Sequence, residues 1–204
     1  MNIFTHLDIS MKLKYMIEKS FNVKLRTASF LLGSIKPDIS SRYINIPHYK
    51  KDSDTYIMEE IKSILETKIY DFEECTSHFS ERLGIITHYL SDFFCYVHSE
   101  YFKESMSEHY FYEMKLSVYC ILNSRKITKS SCPESIKINQ NISSLFSYLD
   151  ELHINYLYTC SKKRPGIDME FAIKACTALV FSIITACMAD SEENFSGSVG
   201  QVLL

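Results

Sequence analysis

Five of the chain's seven histidines fall in an ordered series with three carboxylates. Residues of metal-binding type recur at a spacing of four in two places, His88 with Asp92 and His109 with Glu113. On an α-helix, residues four apart share a face and lie about 6 Å apart along the axis, so each pair can hold one ion. Imidazole and carboxylate ligands together favour zinc, which has no redox chemistry. The pattern therefore predicts a metal site.

The position of His98 indicates more than one ion. It follows Asp92 by six residues, so on one helix it is turned about 120° from Asp92 and lies about 9 Å further along the axis. His98 can then reach a neighbouring ion more easily than the ion held by His88. A single pair of this kind is more often a surface hydrogen bond than a metal site. Two pairs with a histidine between them favour the metal interpretation.

These motifs resemble those of the zinc-dependent phospholipase C family, a relative of the single-strand-specific zinc nucleases. The most specific stretch is His88-x3-Asp92-x5-His98 followed by His109-x3-Glu113. The resemblance implies an all-α fold, a single-domain multi-helix bundle that holds three metal ions.

The resemblance also implies a role for each matching residue. The ligands of the first ion would be Asp38, His48, His88 and Asp92. Those of the second ion would be His98, His109 and Glu113. A third ion would be bound by His6, by a bridging Asp92, and by the amine and carbonyl of the N-terminal residue, Met1. Asp38 is also the candidate general base.

The chain departs from the family pattern at its first residue. Secreted members begin, after processing, with a tryptophan, and this chain contains no Trp. Met1 nevertheless precedes His6 by a spacing similar to that in the nuclease relatives, and the large Asn2 side chain disfavours removal of the initiator Met. We therefore expect the Met1 amine to take the place of the tryptophan amine.

The function implied by the resemblance is that of a metal-dependent phosphoric ester hydrolase, phospholipase C-like, in which a multinuclear zinc site activates water. Its substrate would be a phosphodiester such as a phospholipid. Two alternatives stay open: a nuclease-like phosphodiesterase that acts on single strands, and a non-catalytic, metal-stabilised binding protein. A net charge of −3 and a pI near 6.2 provide no basic field, so charge does not support a nucleic acid partner, although it does not exclude one.

Length and composition favour one domain. With 204 residues, 46% of them hydrophobic, the chain is long enough to bury a core. We predict a domain over residues 1–190 and a flexible, Ser/Gly/Glu-rich tail over residues 191–204. The N-terminus lacks a signal-peptide pattern, and the seven cysteines, without CxxC pairs, are typical of reduced core residues. These features predict a cytoplasmic protein.

Hydrophobic periodicity predicts helices almost throughout the N-terminal half. Thr5 caps a first helix that runs through Lys19, with Asp8 completing a capping box. A second helix near Lys24–Leu32 stops at Gly33, which leaves Asp38 and His48 on a proline-containing loop. The later helices are expected over Asp54–Tyr70, over Ser80–Phe102, which is capped by Ser80 and carries three ligands, and from Glu104 or Ser107 to Leu122.

The C-terminal third is predicted to hold a polar loop over Ser124–Asn139 and two more helices, Ile142–Ser161 and Asp168–Ala189. The last helix contains the apolar run Ala175–Ala189. A bilayer span needs about 20 apolar residues, so this shorter run indicates a buried core helix and no transmembrane segment.

Overall fold

The computed structural model describes residues 1–66, 75–130, 142–160 and 163–199, and every regular element in these ranges is helical. The all-α class predicted from the sequence is confirmed. The helices are α1 (Ile3–Ser20), α2 (Thr27–Ile39), α3 (Lys50–Leu65), α4 (Ser77–Asp92), a 3-10 helix (Tyr96–His98), α5 (Met106–Ser130), α6 (Ile142–Cys160) and α7 (Pro165–Val199).

Helix α1 is capped by Asn2, and the predicted Thr5 capping box is wrong. The Asn2 side chain accepts a hydrogen bond from the Thr5 backbone N–H at 3.1 Å, which satisfies one of the amides that a helix start leaves unpaired. Asp8 pairs with Lys12 one turn later instead of reaching back to the cap. The earlier start still leaves His6 in the first turns of the helix, buried against the core.

Helix α2 does not stop at Gly33, because that glycine serves a helix contact and not a helix end. A Cβ atom on Gly33 would lie 2.1 Å from the backbone oxygen of Glu81 on α4. Gly84 of α4 presents the reciprocal surface, since its Cβ would lie 2.3 Å from the Phe30 oxygen. The two helices therefore pack backbone against backbone, and α2 continues past Pro37 to Ile39.

Helix α4 ends at Asp92, ten residues before the predicted end at Phe102. Its N-cap is Thr76, whose side chain accepts the Phe79 N–H, and not the predicted Ser80. After α4 the chain becomes extended at Cys95 and then forms the 3-10 helix that carries His98. The assumption that His98 shares a helix with Asp92 is therefore wrong.

Helix α7 forms the centre of the bundle and packs against α1, α3, α4, α5 and α6. The stretch Pro165–Met188 is long and apolar enough to cross a bilayer, but 72% of its most apolar window is buried inside the protein. From Ala175 to Ile184 nearly every side chain is buried, as predicted for a core helix. Around it lie buried residues such as Leu13, Phe79 and Tyr156 from three other helices.

The remaining boundaries differ modestly from the predictions. Helix α3 starts four residues early, at Lys50, and the predicted extension to Tyr70 falls in the range 67–74, outside the described residues. Helix α5 continues to Ser130 across a kink at Asn123, so the predicted polar loop is partly helical, and residues 131–141 lie outside the description. The backbone of α7 is helical through Val199, and the predicted flexibility of residues 191–204 stays a prediction.

Candidate metal centre

The nine residues predicted as metal ligands come together in the folded chain, although they belong to six separate segments. Their segments are the start of α1 (Met1, His6), the end of α2 (Asp38), the α2–α3 connection (His48), α4 (His88, Asp92), the 3-10 helix (His98) and the start of α5 (His109, Glu113). Asp38 is helical and does not lie on a loop, which corrects the prediction for that residue.

Asp92 occupies the middle of this cluster and is fully buried. Its Oδ2 atom lies 2.6 Å from His48 Nδ1 and 3.4 Å from His88 Nε2. Its Oδ1 atom contacts the Met1 amine and lies 3.4 Å from His6 Nε2. One carboxylate thus faces two groups of ligand-type atoms, and each of its oxygens would be available to an ion in one of them.

The first group surrounds Asp92 Oδ2. His88 Nε2 lies 3.2 Å from His48 Nδ1 and 3.6 Å from Asp38 Oδ1. The other His88 nitrogen, Nδ1, donates to the Ser34 carbonyl oxygen at 2.8 Å, so the Nε2 lone pair points into the group. The close crossing of α2 and α4 at the two glycines places Ser34 within this distance.

The second group is formed by the 3-10 helix and α5. Glu113 Oε1 lies 3.0 Å from His109 Nε2 and 3.5 Å from His98 Nε2. Glu113 and His109 are four residues apart on α5, as the motif predicted. His98 Nδ1 is buried, and none of the described residues forms a hydrogen bond with it.

The third group lies at the start of α1. Ser91 Oγ contacts the His88 carbonyl oxygen at 2.8 Å and His6 Nδ1 at 3.1 Å. The other His6 nitrogen, Nε2, lies 3.1 Å from the Met1 carbonyl oxygen and 3.4 Å from Asp92 Oδ1. One imidazole nitrogen and two oxygen atoms of ligand type thus converge in a buried place.

The donor set of the cluster fits divalent zinc. Imidazole nitrogens and carboxylate oxygens are its usual ligands apart from thiolates. Three groups have mutual distances within 4.8 Å, and the first two share His88: His6 with His88 and Asp92, Asp38 with His48 and His88, and His98 with His109 and Glu113. The fixed tautomer of His88 and the convergence of ligand atoms indicate cation binding more strongly than the residue types alone.

The protonation states of the buried ligands also suit cation binding. Burial and the neighbouring His6 lower the pKa of His88 well below its usual value. Burial and the nearby Met1 ammonium lower the pKa of His98 to about 4. Burial by itself raises the pKa of Asp92, but the Met1 ammonium and His98 outweigh it and hold that pKa well below its usual range. At neutral pH His88 and His98 are therefore neutral imidazoles and Asp92 is an ionised carboxylate. Burial by itself lowers the pKa of His48, but the hydrogen bond and charge of Asp92 outweigh it and raise that pKa.

The Met1 amine differs from the other ligands. Burial by itself lowers its pKa, but the charges of Asp92 and Glu113 outweigh that effect and raise the pKa to about 12. The amine is thus an ammonium ion, 2.9 Å from His98 Nε2 and 3.4 Å from Glu113 Oε1. A cation at the third group must displace a proton from this nitrogen before the lone pair can bind it.

Sequence reasoning missed the residues that orient the ligands. The Ser34 carbonyl oxygen fixes the tautomer of His88 and the Ser91 hydroxyl contacts His6 Nδ1, and neither serine is one of the defined positions of a motif. Of the aromatic residues near the ligands, Tyr89 is buried with its hydroxyl unpartnered among the described residues. His153 Nε2–H donates to the Phe93 carbonyl oxygen at 3.1 Å, and His153 belongs to none of the three groups.

Large apolar side chains are exposed next to two of the predicted ligands. Ile39 follows Asp38 and is 56% exposed. Tyr110 follows His109, is 62% exposed, and its ring centroid lies 5.9 Å from that of His109. Apolar surface is therefore accessible to a substrate at two places near the cluster.

Comparisons with curated proteins and with solved structures give no match. The sequence model described as zinc dependent phospholipase C matches residues 5–162, which is more than half of the chain and includes all predicted ligands except Met1. The resemblance stated from the motifs is thereby confirmed. The chain belongs to the zinc-dependent phospholipase C family.

Proposed function

We propose that the chain is a zinc-dependent phosphodiesterase of phospholipase C type, with up to three ions held by the three groups described above. The observation that carries this proposal is the convergence of buried imidazole nitrogens and carboxylate oxygens around Asp92, with the tautomer of His88 set by the Ser34 carbonyl oxygen. Family membership supports the reaction class of a phospholipase C-like hydrolase.

Zinc bound in these groups would neutralise the phosphoryl oxygens of a substrate and lower the pKa of water towards about 7. We propose Asp38 as the residue that takes a proton from the attacking water. Its side chain is 22% exposed, whereas Asp92 is fully buried, so Asp38 is the carboxylate of the first group that solvent reaches. Burial, helped by the charge of Asp92, raises the pKa of Asp38, which makes this carboxylate a better proton acceptor.

The proposed substrate is a phosphodiester with an apolar portion, such as a phospholipid. The exposed side chains of Ile39, next to Asp38, and of Tyr110, which contacts His109, support this class. The net charge of −3 supports a lipid more than a nucleic acid, whose phosphates favour a basic surface. We also propose a cytoplasmic location, supported by six described cysteines that are buried and form no disulfide with one another.

The test is zinc analysis of the purified protein, combined with a small activity panel. The panel contains a soluble chromogenic phosphodiester, a short-chain phosphatidylcholine, a phosphate monoester and single-stranded DNA. We expect two to three zinc equivalents and turnover of the first two compounds. Zinc binding with no turnover would establish the non-catalytic alternative, and turnover of DNA alone would establish the nuclease alternative. Less than one zinc equivalent after reconstitution would overturn the proposal.

A further inference from the structure

A buried carboxylate outside the ligand set joins the segments that carry the second group. Asp168 lies in the first turn of α7 and is fully buried. Its Oδ2 atom accepts hydrogen bonds from the Tyr96 backbone N–H and from the Tyr112 hydroxyl, both at 2.9 Å. Its Oδ1 atom accepts the Tyr156 hydroxyl at 3.0 Å. Asp168 follows residue 162, where the match to the family ends.

Two of the three donors are directly linked to predicted ligands. Tyr96 begins the 3-10 helix that contains His98. Tyr112 is next to Glu113 on α5. The third donor, Tyr156, belongs to α6, which contains none of the nine predicted ligands. One oxygen atom of Asp168 thus ties together the two segments that must hold the second ion.

These segments need such a tie because the chain between them is irregular. The 3-10 helix ends at His98, α5 starts at Met106, and no regular element is described between them. Without a common anchor, His98 can shift relative to Glu113, and ligand positions must be held to within about 0.5 Å for a functional site. Asp168 is such an anchor, because three hydrogen bonds to one buried side chain hold the three donors at fixed positions relative to one another.

The burial of this carboxylate is costly in itself. Burial raises the pKa of Asp168 to about 7, although the hydrogen bonds from Tyr96, Tyr112 and Tyr156 oppose that rise. An apolar residue would fill the same place without this cost. A role that needs the acceptor atoms explains why a carboxylate stands here.

We propose that Asp168 is a positioning residue for the second ion, fixing the 3-10 helix of His98 against α5 of Glu113, an inference that rests on the proposed zinc-dependent function. Asp168 touches neither zinc nor substrate in this role. It acts through the Tyr96 backbone and the Tyr112 side chain.

The chain offers a matched pair of variants that separates positioning from general stability. Tyr112→Phe removes a hydroxyl donor from the helix that carries Glu113, and Tyr156→Phe removes an equivalent donor to the same carboxylate from a helix without ligands. Both variants lose one buried hydrogen bond. We expect both to lower the melting temperature by similar amounts. Only Tyr112→Phe should weaken one zinc ion, by about 10–100-fold, the usual effect of losing a partner that orients a ligand.

A third variant tests the acceptor directly. In Asp168→Asn the amide oxygen can accept the hydrogen bonds of the Tyr96 N–H and the Tyr112 hydroxyl. The amide NH2 group can then donate to the Tyr156 hydroxyl oxygen. Asp168→Asn should therefore retain the second ion, whereas Asp168→Ala should lose it. The double variant Asp168→Ala with His109→Ala identifies the lost ion. If both substitutions remove the second ion, the double variant should bind as much zinc as either single variant.

The measurement is zinc affinity and stoichiometry of the full chain, by competition with a chromophoric chelator. Equal weakening of zinc in Tyr112→Phe and Tyr156→Phe, or no weakening in Tyr112→Phe, overturns the positioning role and leaves the proposed function intact. Loss of the second ion in Asp168→Asn would also overturn it. A wild-type chain that binds no zinc at all overturns both the inference and the proposed function.

Discussion

Gly84 packs directly on Gly33, so that α4 and α2 meet without side chains between them. A Cβ atom on Gly84 would lie 3.0 Å from the Gly33 carbonyl carbon and 2.8 Å from the Ser34 nitrogen. Ser34 is the residue whose carbonyl oxygen accepts His88 Nδ1–H. The helix crossing and the orientation of a predicted ligand are therefore consequences of the same two glycines.

We expect Gly84→Ala to destabilise the fold and weaken the first ion. Overpacking costs about 1–3 kcal/mol, and the upper end applies because backbone atoms cannot rotate away. In a helix without such a contact, alanine is more stable than glycine by about 1 kcal/mol. A lower melting temperature of Gly84→Ala would therefore reveal the clash with the α2 backbone. Gly166→Ala is the control, since its Cβ would meet only the end of the Tyr119 side chain. Calorimetry and zinc titration should separate the two variants, and equal melting curves would contradict the prediction.

Asp38→Asn should lower hydrolysis of a model phosphodiester by at least about 100-fold, the low end for loss of a general base. The substitution keeps the shape of the side chain while removing its charge. Asp52→Asn is the control, because Asp52 is an exposed carboxylate in the first turn of α3. The turnover of both variants is compared with wild type at saturating zinc. Full activity of Asp38→Asn would assign the base to another residue.

Removal of zinc by a chelator should lower the melting temperature at pH 7.5. At a free zinc concentration 1,000-fold above Kd, one bound ion stabilises the folded chain by about 4 kcal/mol. For a chain of this size that corresponds to roughly 8–16 °C. Ligand imidazoles must be deprotonated, so this stabilisation is present above the unfolded histidine pKa of about 6.5 and fades as pH falls. Coincident scanning-calorimetry curves with and without chelator would show that zinc contributes nothing to stability.

His153 provides a pH effect outside the metal centre. Burial, together with the charge of Lys50, lowers its pKa to about 4, while the Phe93 carbonyl, Asp54 and Asp150 act in the opposite direction. A depressed pKa in the folded state means that stability is present above about pH 6.5 and is lost as pH falls towards 4. The loss should be on the order of 1–3 kcal/mol, after allowance for partial exposure.

His153→Gln isolates this contribution, because glutamine can donate to the same carbonyl and does not titrate. Urea unfolding at pH 7.5, 6 and 5, in the presence of chelator, should show a smaller fall in the free energy of unfolding for the variant than for wild type. The prediction fails if the two curves against pH are parallel.

An N-terminal extension that stays attached should remove or weaken one ion. It converts the Met1 amine into an amide, which has no lone pair for zinc, while the ligands from Asp38 to Glu113 are unchanged. Activity should fall with the ion. The comparison is between a chain that starts at Met1 and a permanently tagged chain, with zinc stoichiometry and turnover measured on both. Equal values would show that the Met1 amine is not a ligand.

The parts of the site that depend on local spacing could be predicted from the sequence. His88 with Asp92, and His109 with Glu113, are neighbours through the helix repeat alone, and both pairs lie on helices as expected. The fold class followed from periodicity for the same reason. Local patterns also gave wrong helix ends where tertiary contacts determine the role of a residue. Gly33 was predicted to end α2, but it lies inside that helix and allows it to pack closely against α4.

The residues that orient the ligands could not be predicted, because their contacts join distant parts of the chain. Ser34 lies 54 positions from His88, and Ser91 lies 85 positions from His6. Asp168 is 72 positions from Tyr96. Serine and aspartate have no sequence pattern that marks such a contact. The end of α4 at Asp92 could not be predicted from the sequence either, because the apolar pattern continues without interruption through Phe94 and Val97.

The contact between Met1 and Asp92 also makes the third group depend on long-range folding. The Met1 amine contacts a partner 91 residues further along the chain, and it lies 3.4 Å from Glu113 Oε1 on α5. This end of the cluster therefore forms only when α1, α4 and α5 pack together, whereas the pairs on α4 and α5 are set by each helix alone.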